Sequence, residues 1–475
     1  VRKGENTGNQ DPVRLSDQES GHSGIFRRRE PHSSFGVERK QGEHMASEKP
    51  LSLDVAVIGG GPAGISASLE LSKSSSMKRV ALFECDEELG GMPRSCHVFF
   101  GMRDRKRIYT GPAYARKLDR LVRNTPVQIY TGARVLDVIP GDQATSHRVD
   151  VLSPQGLTSY ESRFVLLATG CFESSRSTRL IPGARPSGIY TTGTLQQLVN
   201  LHHLKPGRRA VIVGSEHVAF SSVLTLWRAG VSIAAMVEED RELQTYPWVA
   251  TPMSHVFGFP IYKRASIKAI LGNKRVEGIE LRGKENQEPF QLECDTVVIT
   301  GRFRPDSSLI DDTSIEQDPF TLGPKVDMNF MTSVPNIFAA GNVLRGADMH
   351  DLCALEGRLA ARSVLKRLDT VEDGKSSFVR LRAERPIRYV VPQEIAPPQI
   401  QRGLFSKLFP CPAIQLERTL VNPVIEALSG KTKIWKASFR KLTANTRIPL
   451  PVEKFDWDRV DSGRGVTIRV KSPAF

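Results

Sequence analysis

The stretch from Leu53 to Glu84 constrains the fold more than any other part of the chain. An apolar, β-branched run, Asp54 to Ile58, leads directly into Gly59, Gly61 and Gly64 in G-x-G-x-x-G spacing. A helix-forming segment follows, and then a second apolar run, Val80 to Phe83, closed by Glu84. Strand, glycine turn, helix and strand within about 30 residues is the unit that cradles a dinucleotide. Gly59 permits the tight turn, Gly61 lets the backbone approach a pyrophosphate, and Gly64 lets the helix lie close to the sheet. Pro62 and Ala63 open the helix, where a missing N–H costs nothing and the free amides face an anion. Glu84 stands where a carboxylate accepts hydrogen bonds from ribose hydroxyls.

With 475 residues the chain is long enough for two or three domains, each with its own core. No apolar run approaches the ~18 residues that span a bilayer, and the first residues hold no secretory apolar core, so a cytoplasmic protein without a transmembrane segment is expected. Lys and Arg number 66 against 52 Asp and Glu, and the excess concentrates in residues 375–475, a basic surface expected to be solvated rather than a nucleic-acid site. Six cysteines form no C-x-x-C and no Cys/His cluster, so no metal site is expected. Residues 1–48 are polar and without hydrophobic period, which predicts a disordered extension ahead of a natural start at Met45.

After Glu84 come Gly90 and Gly91, then Met92 to His97, Phe100 to Asp104, and Thr110 to Arg116. An acid closing the second strand with a Gly-Gly doublet soon after resembles the two-dinucleotide-domain flavoproteins of the pyridine nucleotide-disulfide oxidoreductase-like superfamily. That resemblance implies FAD, with the doublet lying against it. Redox-active members carry two cysteines at this point, whereas this chain has Cys96 alone. The whole string is more similar to the flavoprotein subunits of hydrogen cyanide synthase and opine oxidase, which implies oxidation of a small amine or amino acid. Further landmarks agree with the resemblance. Phe164 to Gly170, ending in Ala-Thr-Gly with Thr169 and Gly170, marks the crossover out of the FAD domain. Thr332 to Asn342 resembles the third FAD motif, with Gly341 followed by Asn342 where an aspartate usually holds a ribityl hydroxyl. The next helix, around Glu356, is expected to aim its dipole at the isoalloxazine.

Between these landmarks the first pattern repeats. Ala210 to Ala219 is again strand, turn and helix, followed by an apolar run, Val231 to Val237, and Glu238. Gly214 is kept, but Glu216 replaces the middle glycine, putting bulk and negative charge where a pyrophosphate would approach. The expected fold class is therefore α/β: two Rossmann-like three-layer domains, one for FAD and one a degenerate NAD type, with a small C-terminal β appendage. The expected bounds are 49–180 and 294–370 for the FAD domain, 181–293 for the NAD(P)-type domain, and 375–475 for a basic appendage. In that appendage Ile387 to Val391, Lys433 to Phe439 and Val466 to Val470 alternate with period two between Pro-rich stretches at Pro392, Pro397 and Pro398.

Candidate chemistry lies in the loop after Gly91. Arg94, Arg103 and Arg105 are placed to clamp a carboxylate, Tyr109 and Tyr114 to orient an amine, and Cys96 or His97 to act as nucleophile or base. His350 is a further proton-transfer candidate, and Cys353 reads as core. With the resemblance, the expectation is an FAD-dependent oxidoreductase that oxidises a small amine, amino acid or hydroxy acid and hands electrons to a partner subunit or quinone. The competing readings are an NAD(P)H-dependent reductase of a carrier protein and a non-catalytic, FAD-holding subunit of a heteromeric dehydrogenase.

Overall fold

The computed structural model describes residues 51–141, 146–283, 288–369, 378–396 and 412–471. The expected extension 1–48 with Met45, together with Pro397, Pro398 and Cys411, lies outside the described residues. The helices are α1 (Pro62–Leu71), α2 (Gly111–Arg123), α3 (Thr192–Asn200), α4 (His217–Arg228), α5 (Pro247–Val256) and α6 (His350–Asp369).

Leu51–Ile58 sits centrally in the first sheet, parallel to Val80–Phe83 on one side and to Gly156–Leu167 on the other. Val55, Ala56 and Val57 are fully buried, which is why the run is apolar on both faces rather than alternating. Gln128–Tyr130 extends one edge, and His147–Ser153 and Arg134–Ile139 extend the other. Ile337–Ala339 returns much later in the chain to pair in parallel with Gly156–Leu167. Helices α1 and α6 lie against each other on this sheet. Helix α2 shows how pattern becomes packing: Tyr114, Leu118 and Val122, four residues apart, form its buried stripe, and its charged residues face outward.

A second parallel sheet runs Ile189–Thr191, Thr296–Ile299, Arg209–Val213, Ser232–Glu238 and Ile261–Lys263. Here the expected boundary at 294 shifts. Thr296–Ile299, buried throughout, pairs with strands on both sides within the second sheet, as a run buried on both faces requires. The chain returns to the first domain only afterwards, through Phe303–Pro305, which pairs antiparallel with Cys171–Glu173.

The three C-terminal segments expected as strands appear as Ile387–Val391, Thr432–Ser438 and Val466–Lys471. They belong to a five-stranded and a three-stranded sheet around their own apolar core. The expectation that this region stands apart from the FAD core is corrected. A register shift between Ile387 and Tyr389 turns Tyr389 and Val391 into the core of the first domain, while Ile387 and Val390 stay in the C-terminal one. Ile414 is fully buried in that core. Ile414→Ala should therefore cost about 2–5 kcal/mol, read as a shifted midpoint in urea unfolding of the whole chain.

Candidate functional site

The glycines of the first fingerprint act in different ways. Gly59 has φ +105°, and a Cβ there would lie 2.3 Å from the Ala168 carbonyl oxygen, so strand end and crossover touch backbone to backbone. At Gly64 a Cβ would lie 1.9 Å from the Gly59 carbonyl oxygen, which seats α1 on the sheet. Gly61 differs. A Cβ there would meet nothing within 4 Å, and the residue faces an open groove. The space is wanted for something other than the chain itself. Gly61 is also the N-cap of α1, with Pro62 following, so unpaired amides of the first turn face the same groove.

The surrounding motifs converge on this place. Glu84, 8% exposed, accepts from the Gly60 amide at 2.7 Å and from the Asp86 amide at 2.9 Å. A carboxylate has about four acceptor positions, so ribose hydroxyls still find room. The Gly90 amide donates to the Gly60 carbonyl at 2.8 Å, and a Cβ on Gly91 would lie 3.1 Å from Gly61 Cα, which docks the doublet on the fingerprint turn. Thr169 and Gly170 form part of the wall, with Thr169 Oγ1 donating to the Asp306 carbonyl at 2.6 Å. Gly341, at φ +85°, brings the third motif against Ala63. The groove enclosed by these elements has about 1100 Å³ of empty space, its open mouth included. Its dimensions and donors suit an extended dinucleotide with the pyrophosphate at the start of α1.

Asn342 lines the groove and also holds a local turn. Its Oδ1 already accepts from the Asp348 amide at 2.9 Å and from the Cys353 thiol at 3.1 Å. That oxygen ties the third motif to the turn before α6.

The loop candidates are not brought into the groove. Arg94 pairs with Asp86 at 3.0 Å and Glu88 at 3.1 Å. Arg105 lies 3.1 Å from Asp104, and Tyr114 donates to the same carboxylate at 2.9 Å. Burial, then the Asp104 charge, pushes the Tyr114 phenol far up, so it stays a neutral donor. Cys96 is buried, accepts from Gln196 Nε2 at 3.7 Å, and has its thiol pKa raised by burial. Burial, then the neighbouring Arg228 charge, lowers the His97 pKa. Arg103 is exposed, and its amide donates to Asp351 at 3.2 Å. This loop meets the start of α6 through Arg103 and Asp351.

The groove instead presents His350, Cys353 and Cys171 near its α6 end. His350 lies edge-on to Phe100 at 4.7 Å, and burial pushes its pKa down to about 4, leaving a neutral imidazole. Burial raises both thiols, Cys171 to about 12. Sequence reasoning missed Cys171, Arg134 and Asp306 as lining residues. Only Cys171, directly after Ala-Thr-Gly, carried a positional signal.

In the second domain the matching turn is filled from within. Gly214 keeps φ +118°. Glu216 turns its carboxylate inward, accepting from Thr300 Oγ1 at 2.8 Å, and would sit 2.1 Å from a Cβ on Gly301. Arg179 donates to the Thr300 and Gly301 carbonyls beside it. Burial pushes the Glu216 pKa up to about 7, against the pull of Thr300 and Arg179. Ser215 donates to Glu238, and Gln244 Nε2 approaches Glu238 at 3.3 Å. The acid placed for a ribose is thus engaged by its own loop.

The profile of the family described as pyridine nucleotide-disulphide oxidoreductase matches residues 53–360, the stretch that builds both nucleotide folds and the groove. The chain belongs to this family. It is therefore an FAD-dependent oxidoreductase, and the groove at Gly61 is where the residues fit that cofactor. Among curated relatives, the chain is 24% identical over 359 residues to the glutamate synthase [NADPH] small chain of Escherichia coli, covering 68% of this chain and 71% of that one. It is 24% identical over 376 residues to hydrogen cyanide synthase subunit HcnB of Pseudomonas aeruginosa, covering 71% and 77%. Of solved structures, thioredoxin reductase of T. acidophilum aligns with a TM-score of 0.57 at 19% identity over 67% of this chain and 99% of that one. L-proline dehydrogenase of P. horikoshii aligns at 0.52 and 22% over 69% and 57%. These structural likenesses concern the fold. No helix among the described residues is long and apolar enough to cross a membrane.

The two glycines separate cofactor binding from folding. Gly61→Val should give a folded protein without flavin, because the added atoms enter open groove. Gly64→Ala should instead lower stability by about 1–3 kcal/mol; thermal melts and flavin absorbance of both variants check this.

Proposed function

We propose that this flavoprotein oxidises a small amine, amino acid or hydroxy acid and passes the electron pair to a partner subunit or quinone, with pyridine nucleotide serving neither as donor nor acceptor. The observation that carries the reading is Glu216. Its side chain and its bonds to Thr300 take up the crevice at the carboxyl ends of Arg209–Val213 and Thr296–Ile299, the place where a nucleotide binds in an open α/β sheet. A pyrophosphate arriving there would meet a carboxylate and lose the Ser215 to Glu238 bond. Disulfide reduction is also disfavoured, because Cys96 is buried against α3 with a raised pKa and lies outside the groove. One structure of similar fold, L-proline dehydrogenase, is named for an amino-acid donor, the kind of substrate proposed here.

Flavin supplies the two-electron acceptor, and the chain must hold the donor and take up its proton. His350 is the groove residue suited to the second task. Its neutral ring accepts a hydrogen bond from a substrate N–H or O–H, and Phe100 fixes the ring orientation.

Anaerobic mixing with NADH or NADPH should leave the flavin spectrum unchanged, whereas Glu216→Gly should make it responsive to one of them. Rapid stoichiometric bleaching of the unaltered protein would contradict the proposal and favour a reductase. Once a donor is found by flavin bleaching, His350→Gln should slow that bleaching by roughly 10²-fold with flavin content unchanged.

A further inference from the structure

Residues Lys441 to Arg447 of the C-terminal region touch both nucleotide folds. Lys441 Nζ lies 3.2 Å from Glu242, and Asn445 Nδ2 donates to Gln244 Oε1, both on the second domain. Arg447 Nη1 lies 2.9 Å from Asp348 and 3.1 Å from Glu356, on the first. The contacts differ in weight. The Lys441 pair is exposed and screened. The Arg447 side chain is 10% exposed, Asp348 9% and Glu356 1%, so these charges interact through protein rather than water.

Arg345, also buried, completes the cluster at 2.9 Å from Asp348 and 2.6 Å from Glu356. Among the described residues two cations and two carboxylates meet here, and the Asp348 pKa is held down to about 2 by the two arginines despite burial. Each carboxylate residue then continues into the flavin groove. Glu356 Oε2 accepts from the Gly341 amide at 3.1 Å, and the Asp348 amide donates to Asn342 Oδ1. Gly341 and Asn342 form the turn of the third motif, and Asn342, His350 and Cys353 line the groove.

We propose that Arg447 is a positioning residue of the redox centre: the C-terminal domain reaches through it to neutralise Asp348 and Glu356 and to fix the Gly341–Asn342 turn beside the flavin. The inference rests on the family's cofactor and not on the proposed substrate. Reduction adds negative charge to the flavin, so one uncompensated carboxylate nearby opposes it, and one uncompensated arginine favours it.

The test is the flavin midpoint potential and the FAD dissociation constant of the full chain and four variants. Arg447→Met leaves the cluster with a net negative charge. It should lower the reduction equilibrium roughly tenfold, about 30 mV for a two-electron couple, and weaken FAD binding; Arg447→Lys should keep the potential. Asp348→Asn has the opposite imbalance and should raise the potential by a similar step. Combining Arg447→Met with Asp348→Asn restores neutrality and should return the potential to that of the unaltered protein, a recovery that a purely structural role does not produce. If Arg447→Met does not fold, the comparison of Asp348→Asn with the double variant carries the same test. Potentials unmoved by Arg447→Met or by Asp348→Asn, or a double variant that fails to recover, would overturn the proposal.

Discussion

Close backbone packing between the first turn of α1 and the second turn of α6 is the contact on which the rest of the structure depends. A Cβ on Gly357 would lie 2.0 Å from the Ala63 carbonyl oxygen, and one on Gly341 would lie 2.9 Å from Ala63 Cβ. Only residues without side chains let the two helices approach this far. The consequence is that the first turns of both helices line one groove, α1 through Pro62 and Ala63 and α6 through His350 and Cys353, each with the positive end of its dipole. The far ends are joined by Arg362 and Glu70 at 2.7 Å. That pair is largely solvated on the arginine side and adds little beside the buried crossing.

The two nucleotide folds show how one backbone plan takes different fates. Both keep a glycine with positive φ after the first strand and an acid after the second. In the first, the turn leaves a vacant surface at Gly61. In the second, Ser215 donates to Glu238 and Thr300 donates to Glu216, so polar groups that a ligand would pair are already paired. Such internal satisfaction stabilises the apo fold and raises the cost of admitting a nucleotide. It also gives the second domain a structural duty, since Gln244 links its altered turn to Asn445 of the C-terminal domain.

What was legible in the sequence follows from range. The first fingerprint, Glu84, the Gly-Gly doublet and the Ala-Thr-Gly crossover were readable because each depends on local backbone geometry, and each meets the groove. The partners of the loop arginines and Tyr114 were not legible, because they are set by tertiary contact. Asp104 is shared with Arg358 at 3.6 Å, and Arg103 meets Asp351 across 248 positions. The same limit explains the boundary at Thr296–Ile299, whose apolar run fits either sheet until pairing decides, and the C-terminal strands, whose alternation shows two faces but not what each one covers. His350 stood out in sequence only as one histidine near a helix start. Its place on the groove wall needed the fold.

The proposed function requires one dinucleotide in the groove at Gly61 and none in the second nucleotide fold. Equilibrium titration of the full chain, first with FAD and then with NADH and NADPH, tests it most directly. The account predicts one FAD per chain and no saturable uptake of either pyridine nucleotide. A second nucleotide bound with one-to-one stoichiometry, or a chain that takes up no FAD, would contradict it.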